Sequence, residues 1–205
     1  MKNAETPALK LVLLGAESSL GNALTVQLLA RQHEVIAIVD DLSRHTARPG
    51  LHYKIGGLAD ADQAEQSMAG GSAVIALLSA LAPGDLPTQR KLCEALLAGL
   101  ARTTIRRLLL VGDFQVLEGA SGHSSLEREC MDRIVDGLQR SGLQWTVINA
   151  PDDAPGLSIE QFRHNEAALA PDQAKRLRDL ARVAAGLVDT LELGLHKGEH
   201  LNFVV

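Results

Sequence analysis

Short aliphatic runs alternate along the chain with longer segments whose apolar residues recur every three or four positions. The runs lie at 11–14, 35–39, 73–78, 108–111 and 145–148. Their apolar character is continuous rather than alternating, which predicts parallel strands covered on both faces. Weaker runs at 52–55 and 201–205 predict two more strands. Between the runs, Leu20, Ala23, Leu24 and Leu28 share one helical face. Leu92, Ala95, Leu96 and Leu100 share another, with Pro87 near that helix's start. Met131, Ile134, Val135 and Leu138 mark a third helix, closed by Ser141 and Gly142. Leu177, Leu180, Ala181, Ala184, Val188 and Leu191 mark a fourth. Strand alternating with helix predicts an α/β fold, a doubly wound parallel sheet with helices on both faces. No repeat or second core is visible, so residues 1–205 read as one domain. The polar stretch 151–171, which contains three prolines, interrupts the alternation and is expected to form a loop or short helix over the active face.

The first strand runs into the most informative segment, LVLLGAESSLG at 11–21. An apolar run ends in Gly15, two serines follow, and Leu20 and Gly21 open the first helical pattern. Strand, tight turn and helix start in that order form the place where open α/β folds bind the pyrophosphate of a dinucleotide. Backbone N–H groups and the positive end of the helix dipole face the phosphates there. The spacing is G-x-x-S-x-x-G, with Ser18 where a glycine is commoner. A plain helix cap at Ser18 or Ser19 is the alternative reading. Asp40 follows Gly21 by 19 residues, at the end of the second strand. A carboxylate there can accept hydrogen bonds from the adenosine ribose and would repel a 2′-phosphate. Arg44 pulls the other way, since a guanidinium can clamp a 2′-phosphate. The alternative for Ser43, Arg44 and His45 is a solvated loop.

Composition narrows the classes. Hydrophobic residues make up 46% of the chain but aromatics only 2%, so the core must be aliphatic. A net charge of −5 gives no basic footprint for nucleic acid. Cys93 and Cys130 are too few for a disulfide framework and suit a reducing compartment. The first apolar run is too short for a membrane span and a poor signal peptide. A cytoplasmic protein with no membrane or nucleic-acid partner is expected; the sequence does not give its oligomeric state.

GAESSLG followed by HEVIAIVDDLSR resembles the atypical short-chain dehydrogenase/reductase proteins of the NmrA-like and NADH-flavin reductase-like group, close to biliverdin IXβ/flavin reductase. The resemblance continues through RPGLHYKIGGLADADQAEQSMAGGSAVIALLSA, IRRLLLVGDFQVLEG and SGLQWTVINAP, and ends in LRDLARVAAGLVDTLE. It implies a Rossmann-like fold with the pyrophosphate over Gly15, Ser18, Ser19, Leu20 and Gly21. It implies adenosine near Asp40, Arg44, Gly57 and Leu58, and nicotinamide passing Leu78, Ser79 and Ala80. The chain departs from the family pattern at several places. Asp40 stands where many members have an arginine for the 2′-phosphate, while Arg44 matches a second basic position of the flavin-reductase branch. Gly56 and Gly57 stand where Gly-Asp is common, and Gly112 and Asp113 replace a common serine or threonine.

Tyr-dependent carbonyl reduction needs a lysine four residues after the tyrosine. The single tyrosine is Tyr53, and the residue four later is Gly57. No catalytic residue is therefore assigned. Asp113 and His123 flank the loop after the run at 108–111 and are read as loop polarity before proton donors. His196 and His200 have metal-ligand spacing, but Gly198 between them speaks for a turn, and no metal is assigned. The expected cofactor is NAD(H), with NADP(H) as the alternative. The expected function is an NAD(P)H-binding oxidoreductase, reducing flavin or a similar small planar acceptor. Its rivals are a non-catalytic dinucleotide-binding sensor or interaction protein, and a degenerate scaffold that binds no dinucleotide.

Overall fold

Seven strands form one parallel sheet in the order β3-β2-β1-β4-β5-β6-β7. The computed structural model describes residues 8–118, 124–150, 156–164 and 169–203. The strands are β1 (Lys10–Leu14), β2 (Glu34–Val39), β3 (Leu51–Ile55), β4 (Ala73–Leu77), β5 (Arg107–Gly112), β6 (Gln144–Asn149) and β7 (Glu199–Asn202). Each strand predicted from an apolar run is present, and the ends of β1 to β6 lie within one residue of the predicted ones. The helices are α1 (Ser19–Ala30), α2 (Ala61–Met68), α3 (Leu78–Leu81), α4 (Leu86–Leu100), α5 (Ser125–Arg140), α6 (Ile159–His164) and α7 (Pro171–Glu192). The doubly wound α/β architecture is the one the alternating pattern predicts.

The continuous apolar runs have a direct cause. Successive side chains on a strand point to opposite faces. Leu11 and Leu13 of β1 enter a core shared with Leu24 and Leu28 of α1 and Leu180, Ala184 and Leu187 of α7. Val12 and Leu14 enter the opposite core, with Met68 of α2, Leu96 and Leu100 of α4 and Ile134 of α5. Both faces are covered at 11–14, which is why that run carries no polar residue.

Three elements differ from the sequence reading. Helix α2 was not foreseen, because only Ala64, Ser67 and Met68 of its eight residues are buried. Its signal is the cap: the Asp60 carboxylate accepts from Gln63 N at 2.8 Å. Leu78 opens α3 instead of closing β4. β7 begins at Glu199, and 204–205 lie outside the described residues, as do 151–155 and 165–168 of the stretch read as loop or short helix. The described part of that stretch contains α6, which packs along α1.

β1 has β2 on one side and β4 on the other, so the winding reverses between β1 and β4. Open α/β sheets place ligands in the crevice at the carboxyl ends of the strands at such a reversal. The two loops that meet there begin at Gly15 and at Leu78.

At the opposite end of the sheet Arg107 is buried, with no carboxylate partner among the described residues. Its Nη1 donates to Gln144 O at 2.9 Å and Thr146 Oγ1 at 2.7 Å, and its Nη2 to Thr190 O at 3.3 Å and Leu195 O at 2.9 Å. Burial lowers its pKa from the ordinary arginine value. The Thr190 carbonyl belongs to the last turn of α7, whose negative dipole end favours a cation. Arg107 thus joins β5, β6, α7 and the loop before β7. Arg107→Ala strands several buried carbonyls and is expected to cost about 2–4 kcal/mol of stability. Arg107→Lys recovers little of it, lacking the fork. Urea denaturation of the three proteins measures both, and a loss below about 0.5 kcal/mol for the alanine variant contradicts this role.

Candidate functional site

The turn after β1 is shaped by two glycines and a cap. Gly15 has φ +81°, and a Cβ there would stand 2.9 Å from Leu77 Cβ at the exit of β4. A Cβ on Gly21 would stand 2.3 Å from the Gly15 carbonyl oxygen, so the first turn of α1 lies directly on the loop. Ser18 is the N-cap of α1. Its Oγ accepts from Gly21 N at 3.0 Å and donates to Gly15 O at 2.9 Å. The cap reading of Ser18 therefore holds, and it places the positive end of the α1 dipole at the mouth of the crevice. Ser19 is turned inward, with its Oγ accepting from Leu157 N at 3.1 Å. Asn22 Nδ2 donates to Leu157 O at 2.9 Å. The two side chains hold the segment leading into α6 against α1.

An open groove of about 310 Å³ runs from this turn across the ends of β2 and β3. Gly15 and Ser18 form one wall, with Ala16 and Glu17 between them; Asp40 stands at the end of β2, and Gly57 and Leu58 form the far side. The far side is pinned by α2. Gly57 N donates to Ser67 Oγ at 2.9 Å, and Ser67 Oγ donates back to Gly57 O at 3.0 Å. Ala59 N donates to Gln63 Oε1 at 2.8 Å. Asp40 is exposed on the groove wall. Arg44 is exposed and does not line the groove; its Nε lies 3.7 Å from Asp41 Oδ2. Asp41 accepts from Ser43 N and Ser43 Oγ, both at 2.8 Å, and these bonds hold its carboxyl below the usual aspartate range.

A narrow cavity of about 20 Å³ adjoins the groove at the ends of β4 and β5. Ser18, Leu20, Ser79, Ala80, Gly112 and Ala150 line it, with Leu77 and Val111 beneath. Leu78 is fully buried in the core beside α4, so its side chain does not reach this cavity. Ser79 Oγ accepts from Asp113 N at 2.9 Å, which joins the loops after β4 and β5. A Cβ on Gly112 would stand 3.2 Å from both that Oγ and the Phe114 ring. Asp113 is exposed and holds Gln115 N at 3.2 Å. His123 lies outside the described residues.

Tyr53 stands on β3, the edge strand, stacked on the His45 ring with centroids 4.2 Å apart. Burial raises its hydroxyl pKa. It lies two strands away from β1 and three from β4 in the sheet order, remote from Ser79. Glu17 is the functional candidate that sequence reasoning missed. Its carboxylate lines the groove, and its Oε1 lies 3.5 Å from His45 Nε2. Its position inside the glycine turn was the available signal, since the crest of such a turn projects into the crevice. Among the described residues no group of side chains could hold a metal ion, and no helix is long and apolar enough to cross a membrane.

Solved structures share this architecture at low identity. A candidate epimerase from Bacteroides thetaiotaomicron is similar over 95% of each chain, with 19% identity and a TM-score of 0.67. A candidate NADH-flavin reductase from Streptococcus pneumoniae is similar over 95% of this chain and 98% of its own, with 22% identity and a TM-score of 0.63. The enzyme WbmH of Bordetella bronchiseptica, solved in complex with NAD⁺, is similar over 96% of this chain and 76% of its own, with 15% identity and a TM-score of 0.65. No curated protein matches the chain in sequence. The family model described as NAD(P)H-binding matches residues 15–191, from the glycine of the first turn to the end of α7. With its glycine turn, its winding reversal and that match in one continuous stretch, the chain belongs to the NAD(P)H-binding family.

Proposed function

We propose that the groove binds NAD(H) and that the protein is an oxidoreductase delivering hydride to a planar acceptor such as a flavin. The pyrophosphate would lie over Gly15 and Ser18–Gly21, the adenosine between Asp40, Gly57 and Leu58, and the nicotinamide along Ser79 and Ala80. The groove fits such a ligand: it is long and open, it starts at the positive end of α1, and glycine backbone lines both its ends. A bound dinucleotide supplies the hydride. The chain's own residues bind, orient and exclude water.

One observation carries the choice of acceptor. The cavity at the ends of β4 and β5 is apolar, the hydroxyls among its described lining residues are those of Ser18 and Ser79, and Ser18 is spent on its cap. A ketone needs a matched proton donor as its oxygen takes up charge. A flavin accepts hydride directly, so distance and orientation are enough. The narrowness of the same cavity favours a second reading, a dinucleotide-binding sensor without turnover. About 20 Å³ is room for a single water, so a ring enters only as the walls part.

Steady-state oxidation of NADH with FMN, riboflavin and simple ketones separates these readings. Turnover is expected with the flavins, without loss in Tyr53→Phe. Ketone turnover that collapses in Tyr53→Phe overturns the proposal. Measurable NADH binding with no turnover on any acceptor selects the sensor.

The site's charges support NADH over NADPH. Asp40 and Glu17 both face the groove, while Arg44 is drawn to Asp41. Competition calorimetry is expected to give about tenfold tighter binding of NADH. Tighter NADPH binding that weakens in Arg44→Ala would show that the arginine swings in and decides the preference.

Ser18→Asp tests the phosphate position without unfolding the turn. Aspartate can accept the cap bond from Gly21 N but cannot donate to Gly15 O as the serine does, so a loss of about 1 kcal/mol of stability is expected. It adds a negative charge where the pyrophosphate is expected. Thermal denaturation should show the variant still folded, while NADH affinity falls about tenfold or more. Unchanged affinity in the folded variant places the ligand elsewhere.

A further inference from the structure

A second cavity, of about 330 Å³, lies away from the dinucleotide groove, between the C-terminal half of α1, the segment entering β3 and α6. Its walls are Val26, Leu29 and Ala30 of α1, Pro49, and Ile159 of α6, and two guanidiniums, Arg48 and Arg163, complete it. The two cations differ. Arg48 is tied to Glu160 of α6. Arg163 has no ionic partner among the described residues. Among the described residues that line the cavity, Arg48 is thus paired with Glu160, and Arg163 is the cation beside the apolar wall without an ionic partner.

The geometry points to a binding site for a small amphipathic carboxylate, an aliphatic acid of medium length. Its tail would lie on Val26, Leu29, Pro49 and Ile159, where apolar burial drives binding. Its head would meet Arg163, whose planar fork matches a carboxylate. Charge sets the sign of the ligand and the apolar wall sets its body. A neutral alcohol of equal length satisfies only the second, and acetate only the first.

Calorimetry with octanoate, octan-1-ol and acetate tests the site directly. Octanoate should bind more tightly than either control. Arg163→Gln should weaken octanoate about fivefold and leave octanol unchanged. Ala30 is exposed at the end of α1, so Ala30→Trp fills the cavity without entering the core and should abolish octanoate binding. Equal binding of octanoate and octanol, or octanoate binding undiminished in folded Ala30→Trp, overturns the site.

Discussion

The contact between the first turn of α1 and the loop before it sets the geometry of the whole upper edge. Gly21 rests on the Gly15 carbonyl with no room for a side-chain carbon, and Gly15 lies against the exit of β4. A larger residue at either place would lift α1 off the sheet. The same contact brings the N-terminus of a twelve-residue helix to the reversal of the winding, so one packing requirement produces both the fold's central joint and its anion-attracting crevice. The glycines are thus needed by the protein itself, before any ligand is considered.

Much of this was legible in the residues. The strands were readable because both faces of the sheet are covered, which makes each run uniformly apolar. The turn was readable because close approach demands glycine. What escaped has equally physical reasons. Helix α2 buries so little that periodicity carries no signal, yet it pins the Gly57 side of the groove through Ser67 and Gln63. Leu78 looked like a strand end facing the crevice, but the chain turns into α3 there and carries its side chain into the core. The roles of Glu17 and Ser19 depend on His45 and Leu157, 28 and 138 residues away in the chain, and no local spacing reveals such partners.

Polar groups under the sheet are handled with the same economy as the apolar core. His33 is buried, with Nδ1 accepting from Leu9 N at 3.1 Å, so its proton sits on Nε2 and is donated to Glu192 at 2.7 Å. Glu192 also takes Arg31. Arg107, a few residues along on the other side, solves the opposite problem by replacing a counter-ion with carbonyl oxygens. Each of these groups ties a strand or loop to the last turn of α7, which makes that helix end a junction for distant parts of the chain.

That junction bears on how the molecule forms. β1 is made before its second neighbour, and it cannot bury its second edge until β4 arrives some sixty residues later. One of its faces, covered first by α1, is completed only by α7. Contacts of such sequence separation slow folding, because loop-closure entropy is lost before they form. During synthesis β1 and β2 make a two-stranded fragment with an open edge and an uncovered apolar face, the kind of species that aggregates or recruits chaperones. Until α7 is made, the face of β1 that carries Leu11 and Leu13 stays only partly covered, which makes the nascent chain more vulnerable than the finished protein.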